Sequence, residues 1–225
     1  MAEPKLRKDA ALNRERLLTA GREVFAQRGL DATLNDVAHH AGVGVGTAYR
    51  RFANKEELID AILAQQVEEL EAILAEALAH PDPWEGLVLY LERSLAIQAK
   101  DRGMAQVLSG QFAQPQKYDW GRDRLAPLVN QVADRAREAG LLREDVTGTD
   151  LILLQVALTA IASTAQDGPP PDERDDIGQL YRRYLWMLLD GLRPYRDKAT
   201  ALPVPPLTTA QTHLLLGSVS THPRD

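Results

Sequence analysis

Thr47, Tyr49, Arg50, Arg51 and Lys55 crowd hydroxyls and cations into one short stretch, directly after the small residues Gly44, Val45 and Gly46. Hydroxyl and ammonium groups donate to phosphate oxygens, which suits Thr47, Tyr49 and Lys55. Arginine has the reach and the forked donors to read a guanine edge, which suits Arg50, while Arg51 adds a further cation. Small side chains let a backbone come close to its partner. The chemistry on offer is recognition of nucleic acid, and it requires no nucleophile, proton relay or metal.

Those side chains need a rigid carrier. In TLNDVAHHAGVGVGTAYRRF, Thr33 to Phe52, the residues Leu34, Val37, Ala38 and Ala41 share one helix face, and Thr33 with Asp36 forms a capping box. The spacing predicts a short helix over 34–41. Gly42 stands where a left-handed residue ends a helix, and Val43 turns back into the same small core. A second helix over 45–52 buries Ala48 and Phe52 and turns Val45, Gly46, Thr47, Arg50 and Arg51 outward. Two short helices joined by a tight glycine turn, the second one cationic, suit insertion into a DNA major groove.

The stretch resembles the helix-turn-helix of the tetracycline-repressor (TetR) family. Thr33, Val37, Ala38, Ala41, Gly42, Val43, Gly46, Thr47, Tyr49, Phe52, Lys55, Glu56 and Leu58 fall where that family's pattern asks for them. Three departures matter: Gly44 for the usual capping serine, Ala48 for a larger apolar residue, and Arg51 for a tyrosine or histidine. The resemblance implies an all-α protein, with an N-terminal three-helix DNA-binding domain and a larger helical domain for ligand binding and dimerisation. It implies a homodimeric regulator, most often a repressor, that binds a palindromic double-stranded DNA operator and is released by a small-molecule effector. Its DNA contacts would be Thr33, Gly44, Val45, Gly46, Thr47, Tyr49, Arg50, Arg51 and Lys55. The rival reading is a ligand-binding or protein-interaction module of the same fold that has lost specific DNA binding. Retention of Thr33, Thr47, Tyr49, Arg50, Arg51 and Lys55 argues against it.

Composition bounds the alternatives. The net charge of −6 divides into +4 for residues 1–55 and −10 for the remainder. The basic end faces phosphate and the acidic bulk stays away from it. With 44% hydrophobic and 26% charged residues the chain is an ordinary globular one. No run of about 18 apolar residues occurs, and MAEPKLRKDAALNRER lacks the apolar centre of a signal peptide, so a cytoplasmic protein off the membrane is expected. The absence of cysteine excludes disulfide and thiol chemistry. Gly42, Gly44 and Gly46 follow no strand, which removes the phosphate-cradle reading. His39 and His40 are adjacent and point apart on a helix, a poor metal pair. Glu68, Glu69 and Glu71 read as a solvated helix flank. No enzyme, metal or cofactor is expected.

The rest of the chain reads as helices. Residues 1–12, with Lys5, Arg7 and Lys8, read as a mobile arm or a solvated terminus, and a helix over 13–28 closes at Gly29. Asn54 and Glu57 open a long helix that ends before Pro81, the natural lever between domains. Asp82, Pro83 and Glu85 start a helix over 83–100, followed by helices over 104–112 and 122–139, the last interrupted by Pro127. Thr147 and Asp150 cap an apolar helix over 151–164, and a stripe from Ile177 to Gly191 forms the final one. The expected domains are 10–54 for DNA binding, 55–195 for effector and dimerisation, and a Pro-rich tail over 196–225. An effector pocket would draw on Trp84, Tyr90, Met104, Phe112, Trp120, Leu128, Gln155, Thr159 and Trp186, aromatic residues mixed with isolated polar ones. A dimer interface would draw on Leu151, Leu154, Leu158, Tyr181, Tyr184, Leu185 and Leu188 of the last two helices, which similar regulators pair into a four-helix bundle.

Overall fold

The structure is a computed structural model and describes residues 3–100, 119–167 and 175–194. Those residues are all α, as expected: α1 Glu3–Arg28, α2 Leu34–His40, α3 Val45–Arg51, α4 Lys55–Ala79, α5 Pro83–Lys100, α6 Asp119–Glu138, α7 Gly148–Asp167 and α8 Leu180–Leu192. Short 3-10 turns precede α2 and α8, at Gly29–Asp31 and Ile177–Gln179. The helix expected over 104–112 and the tail over 196–225 lie outside the described residues.

Local signals account for most boundaries. Thr33 and Asp36 make the complete capping box of α2, and Gly42 follows it at φ 63°, a conformation that a side chain would strain. At α4, Asn54 Oδ1 accepts from the Glu57 amide at 2.8 Å, while the Glu57 carboxylate takes the Ala53 amide at 2.6 Å, one residue before the expected partner. Asp82 Oδ1 accepts from Trp84 and Glu85, and Pro83 opens α5 where its missing N–H costs nothing. Thr147 and Asp150 cap α7.

Four starts differ from expectation: α7 begins at Gly148 rather than 151, and α8 at Leu180 after a 3-10 turn at Ile177–Gln179, while α1 and α6 begin early. α1 begins at Glu3, so the arm expected over 1–12 is helical from there on. The run EPKLRKDAAL lacks an apolar stripe but consists mainly of strong helix formers, and propensity extends the helix beyond its buried face. α6 begins at Asp119 rather than 122 and carries Pro127 inside it. Pro127 is the ninth residue of that helix, so it leaves the Asp123 carbonyl without the i→i−4 donor that another residue would supply.

The chain divides into two compact units, with the division inside α4 between Leu70 and Glu71. In the first, Leu17, Leu18, Val24 and Phe25 of α1, Val37 and Ala38 of α2, Ala48 of α3, and Phe52 are buried. This unit continues past the expected boundary at residue 54 because Gly21 of α1 admits Leu58 and Ile62 of α4 against it. Arg14 lies over the Phe52 ring at 5.7 Å, and Arg22 pairs with Glu69 at 3.0 Å.

The second unit holds a continuous apolar core from the end of α4, α5, α6, α7 and α8. Polar ties close it. Arg124 pairs with Glu71, Arg182 with Glu92 at 3.0 Å, and Arg135 donates to the Ala77 and His80 carbonyls at the end of α4. Glu69 and Glu71 are thus held in ion pairs rather than simply solvated. Within α7 an 18-residue stretch, Gly148–Ala165, reaches a mean hydropathy of 1.4 and is long and apolar enough to cross a membrane, although no unbroken apolar run exists. Its inner face is bound into this core through Leu151, Leu158 and Ala162.

Candidate functional site

The helix-turn-helix presents α3 as an exposed rod whose inner side is fixed by Ala48 at 0% and Phe52 at 2% exposure. The Gly44 carbonyl caps the start by accepting from the Thr47 and Ala48 amides at 2.7 and 3.0 Å, a role that needs no side chain. Gly44 and Gly46 are exposed, and Val45 and Thr47 are half-buried between them and the core. Tyr49, Arg50 and Arg51 are exposed beyond them, and Lys55 is half-buried at the start of α4. Arg50 Nη2 donates to Thr47 Oγ1 at 2.8 Å, an i, i+3 pair that the sequence reading does not foresee although the spacing permits it.

Thr33 takes the capping place that its spacing to Asp36 predicts. Its hydroxyl donates to Asp36 Oδ2 at 2.6 Å and accepts from the Asp36 amide, while its own amide also goes to Asp36. In the structure the hydroxyl proton goes to Asp36, and Thr33 fixes the start of α2. The same bonds hold the Asp36 carboxyl below the usual aspartate range, the Thr33 hydroxyl contributing most. His39 and His40 are exposed, and His40 reaches Glu23 of α1 at 2.7 Å, a tie between helices. Among the described residues no cluster of three or more His, Asp or Glu could hold a metal.

A second constellation lies inside the other unit. Gln155 of α7, 5% exposed, donates to Ser94 Oγ of α5 at 2.8 Å and accepts from Gln98 Nε2 at 3.3 Å. Thr159 Oγ1 lies 3.2 Å from Gln98 Oε1 and also donates to the Gln155 carbonyl, and Ser94 donates to the Tyr90 carbonyl at 2.6 Å. The Tyr90 phenol is raised well above its ordinary value by burial, with a hydrogen bond to Gln155 opposing the rise. It stays protonated, and all five side chains are neutral.

Three of the expected pocket residues, Tyr90, Gln155 and Thr159, therefore meet. Ser94 and Gln98 join them unforeseen, although both follow Tyr90 on its own helix face at four-residue spacing. The others do not join. Trp84 is core, with Arg193 over its ring at 4.1 Å; Leu128 and Trp186 line the edge of the apolar core; Trp120 is exposed. Met104 and Phe112 lie outside the described residues.

The expected interface set also divides. Leu151, Leu158, Tyr181 and Leu185 are buried within a single chain and form part of its core, so they cannot be an outer surface. Leu154, Tyr184 and Leu188 are half-buried. The large apolar residues left outside on these two helices are Leu153 of α7 and Met187 of α8, 63% and 49% exposed. Ala157 and Ala160 continue the Leu153 stripe, and Tyr184, Leu188 and Gly191 flank Met187 at helical spacing.

A glycine-turned pair of short helices with a cationic outer rod, in a chain that also holds a separate helical core, defines a helix-turn-helix DNA-binding protein. The model described as bacterial regulatory proteins, tetR family, matches residues 17–62, and that described as transcriptional regulator SbtR-like, C-terminal domain, matches residues 82–194. The HTH-type transcriptional repressor BepR of Brucella suis is 31% identical over 152 residues, 66% of this chain and 68% of that protein. The uncharacterized HTH-type transcriptional regulator TtgW of Pseudomonas putida is 37% identical over 82 residues, 36% of this chain. That match spans 61% of TtgW, less than two thirds of its length. The crystal structure of the TetR transcriptional regulator SCO0520 from Streptomyces coelicolor aligns with a TM-score of 0.59 at 32% identity, covering 81% of this chain and 99% of that one. The chain belongs to the TetR family of transcriptional regulators.

Proposed function

We propose that the protein is a homodimeric repressor that binds a palindromic operator through α3 of each copy and releases it when a small molecule enters the C-terminal helices. The observation that carries this reading is the outer face of α3, where small residues at one end and Arg50 and Arg51 at the other are exposed among the described residues. Two such rods related by a two-fold axis reach successive major grooves about 34–36 Å apart and read a palindrome. BepR, a relative named as a repressor, supports that direction of control.

The uncovered apolar stripes of α7 and α8 support pairing of two copies across these helices, since exposed contiguous apolar surface marks an interaction site. An effector entering beside Tyr90, Ser94, Gln98, Gln155 and Thr159 would be uncharged, because the cluster offers only amides and hydroxyls, and it would replace hydrogen bonds that these side chains make to one another. α4 is one unbroken helix to which both compact units contribute, and it is the element through which such binding would act on α3.

The test is selection of bound duplexes from a random library at about 150 mM salt, where non-specific phosphate attraction is reduced. An enriched palindrome is the expected result. Salt-sensitive binding without an enriched sequence would overturn the operator reading.

A further inference from the structure

Residue type alone assigns Thr47 to a phosphate, but in the structure its hydroxyl oxygen accepts a hydrogen bond from Arg50 Nη2 at 2.8 Å. We infer that Thr47 is a positioning residue for base readout: it holds the Arg50 guanidinium so that one complete fork of N–H donors faces a guanine in the operator. The inference rests on the reading of α3 as the groove-entering helix and adds to it how Arg50 is aimed.

The chemistry of the guanidinium carries the argument. Nη2 has two hydrogens, one parallel to the Nε hydrogen and one parallel to a hydrogen on Nη1. Whichever of them goes to Thr47, the other still completes a parallel pair, and a parallel pair is what guanine O6 and N7 accept together. A free arginine on an exposed helix end explores many rotamers, and ordering it opposes binding. The bond to Thr47 selects among those rotamers before DNA arrives.

Thr47 suits this use better than a flexible polar residue would. It is β-branched and sits in a helix, so its χ1 is restricted. It is half-buried, one turn before Arg50 and on the same side of α3. Its hydroxyl accepts from Arg50 and keeps its own proton to give, which allows one side chain to touch a phosphate and fix the base-reading arginine together. The space before the pair is open: a Cβ on Gly46 would meet nothing within 4 Å, and one on Gly44 only Thr47 Oγ1 at 3.9 Å.

The experiment measures affinities of the intact protein for the best duplex recovered from random-library selection, for the same duplex with each G·C pair of the half-site replaced in turn by A·T, and for random duplex. Arg50→Ala identifies the G·C pair that arginine reads, as the replacement that no longer matters to the variant. At that pair, Thr47→Val is expected to lower discrimination about 3- to 10-fold, the worth of one hydrogen bond, and Thr47→Ser is expected to restore it. A purely phosphate-binding Thr47 gives equal losses on all duplexes with discrimination unchanged, and that result overturns the inference while the guanine reading stands. Unchanged discrimination at every pair in Arg50→Ala overturns the guanine reading and the positioning role with it. Circular dichroism of each variant establishes that α3 remains folded.

Discussion

Gln155 Nε2 on α7 meets Ser94 Oγ on α5 at 2.8 Å between the buried leucines Leu91 and Leu95 of one helix and Leu151 and Leu158 of the other. A polar pair at that depth stays only if it is satisfied, and Gln98 and Thr159 complete it. Gln155→Leu strands the Ser94 and Gln98 groups and is expected to cost about 1–3 kcal/mol in urea unfolding. The double change Ser94→Ala with Gln155→Leu should cost less than the two singly, by a coupling of about 0.5–3 kcal/mol. Strict additivity would show that the bond does not hold α5 to α7.

Gln66 of α4 presents the opposite case. It is fully buried, and neither its amide oxygen nor its nitrogen has a hydrogen-bond partner among the described residues. Its helix neighbours Ile62, Leu63, Val67 and Leu70 are buried apolar residues. Gln66→Met keeps the length and removes both stranded groups, so the variant is expected to be about 1–3 kcal/mol more stable than the parent in urea unfolding. A loss of stability would mean that the amide is bonded in solution.

The contrast between these glutamines marks where sequence reading stops. The bounds of α5, Pro83–Lys100, are legible because Asp82 and Pro83 announce the start within a few residues. The capping box of α2 and the turn at Gly42 are legible for the same reason. Gln155 and Ser94 lie 61 residues apart, and no local pattern says which of two apolar helices faces the other. Nor can a helix that is apolar nearly all round reveal its inner side, which is why Leu151 and Leu158 are expected at an interface from sequence and Leu153 is not. The early start of α1 is hidden because its first turns carry propensity without periodicity.

Acid should loosen the caps of α2 and α7. Asp36 and Asp150 are both held below the ordinary aspartate value of 3.8, chiefly by the hydroxyls of Thr33 and Thr147 and then by those residues' amides. A lowered folded-state value means that the stabilisation is complete above 3.8 and is lost as pH falls through the folded values. Melting temperature is therefore expected to be flat in this contribution near neutrality and to drop in strong acid. Asp36→Asn with Asp150→Asn should melt lower at neutral pH and show a shallower drop below about pH 4. Parallel curves for parent and variant would remove the carboxylates from the capping role.

Arg50 and Lys55 should fail differently. Arg50→Ala is expected to cost about 1–3 kcal/mol on the selected duplex and to relax one base position, with little change on random DNA. Lys55→Ala is expected to weaken all duplexes alike and to reduce the dependence of affinity on salt. Equal losses on selected and random duplex for both variants would refute the division between base and phosphate contacts.

The interface prediction separates inner from outer leucines. Leu153 and Met187 are exposed on α7 and α8, and in a four-helix pairing of two copies they would be covered. Leu153→Asp with Met187→Glu places charges on that face without touching the core of a single chain. Sedimentation equilibrium is expected to show a folded monomer, with affinity for the palindrome lowered about 100-fold or more because each half-site is then bound alone. Leu158→Ala makes the opposite change: Leu158 is 2% exposed, so its truncation should cost about 2–5 kcal/mol of stability while the folded fraction still pairs. A dimer that survives both charges would place the two-fold contact elsewhere on the chain, and a Leu158→Ala variant that is monomeric yet stable would restore that residue to the interface.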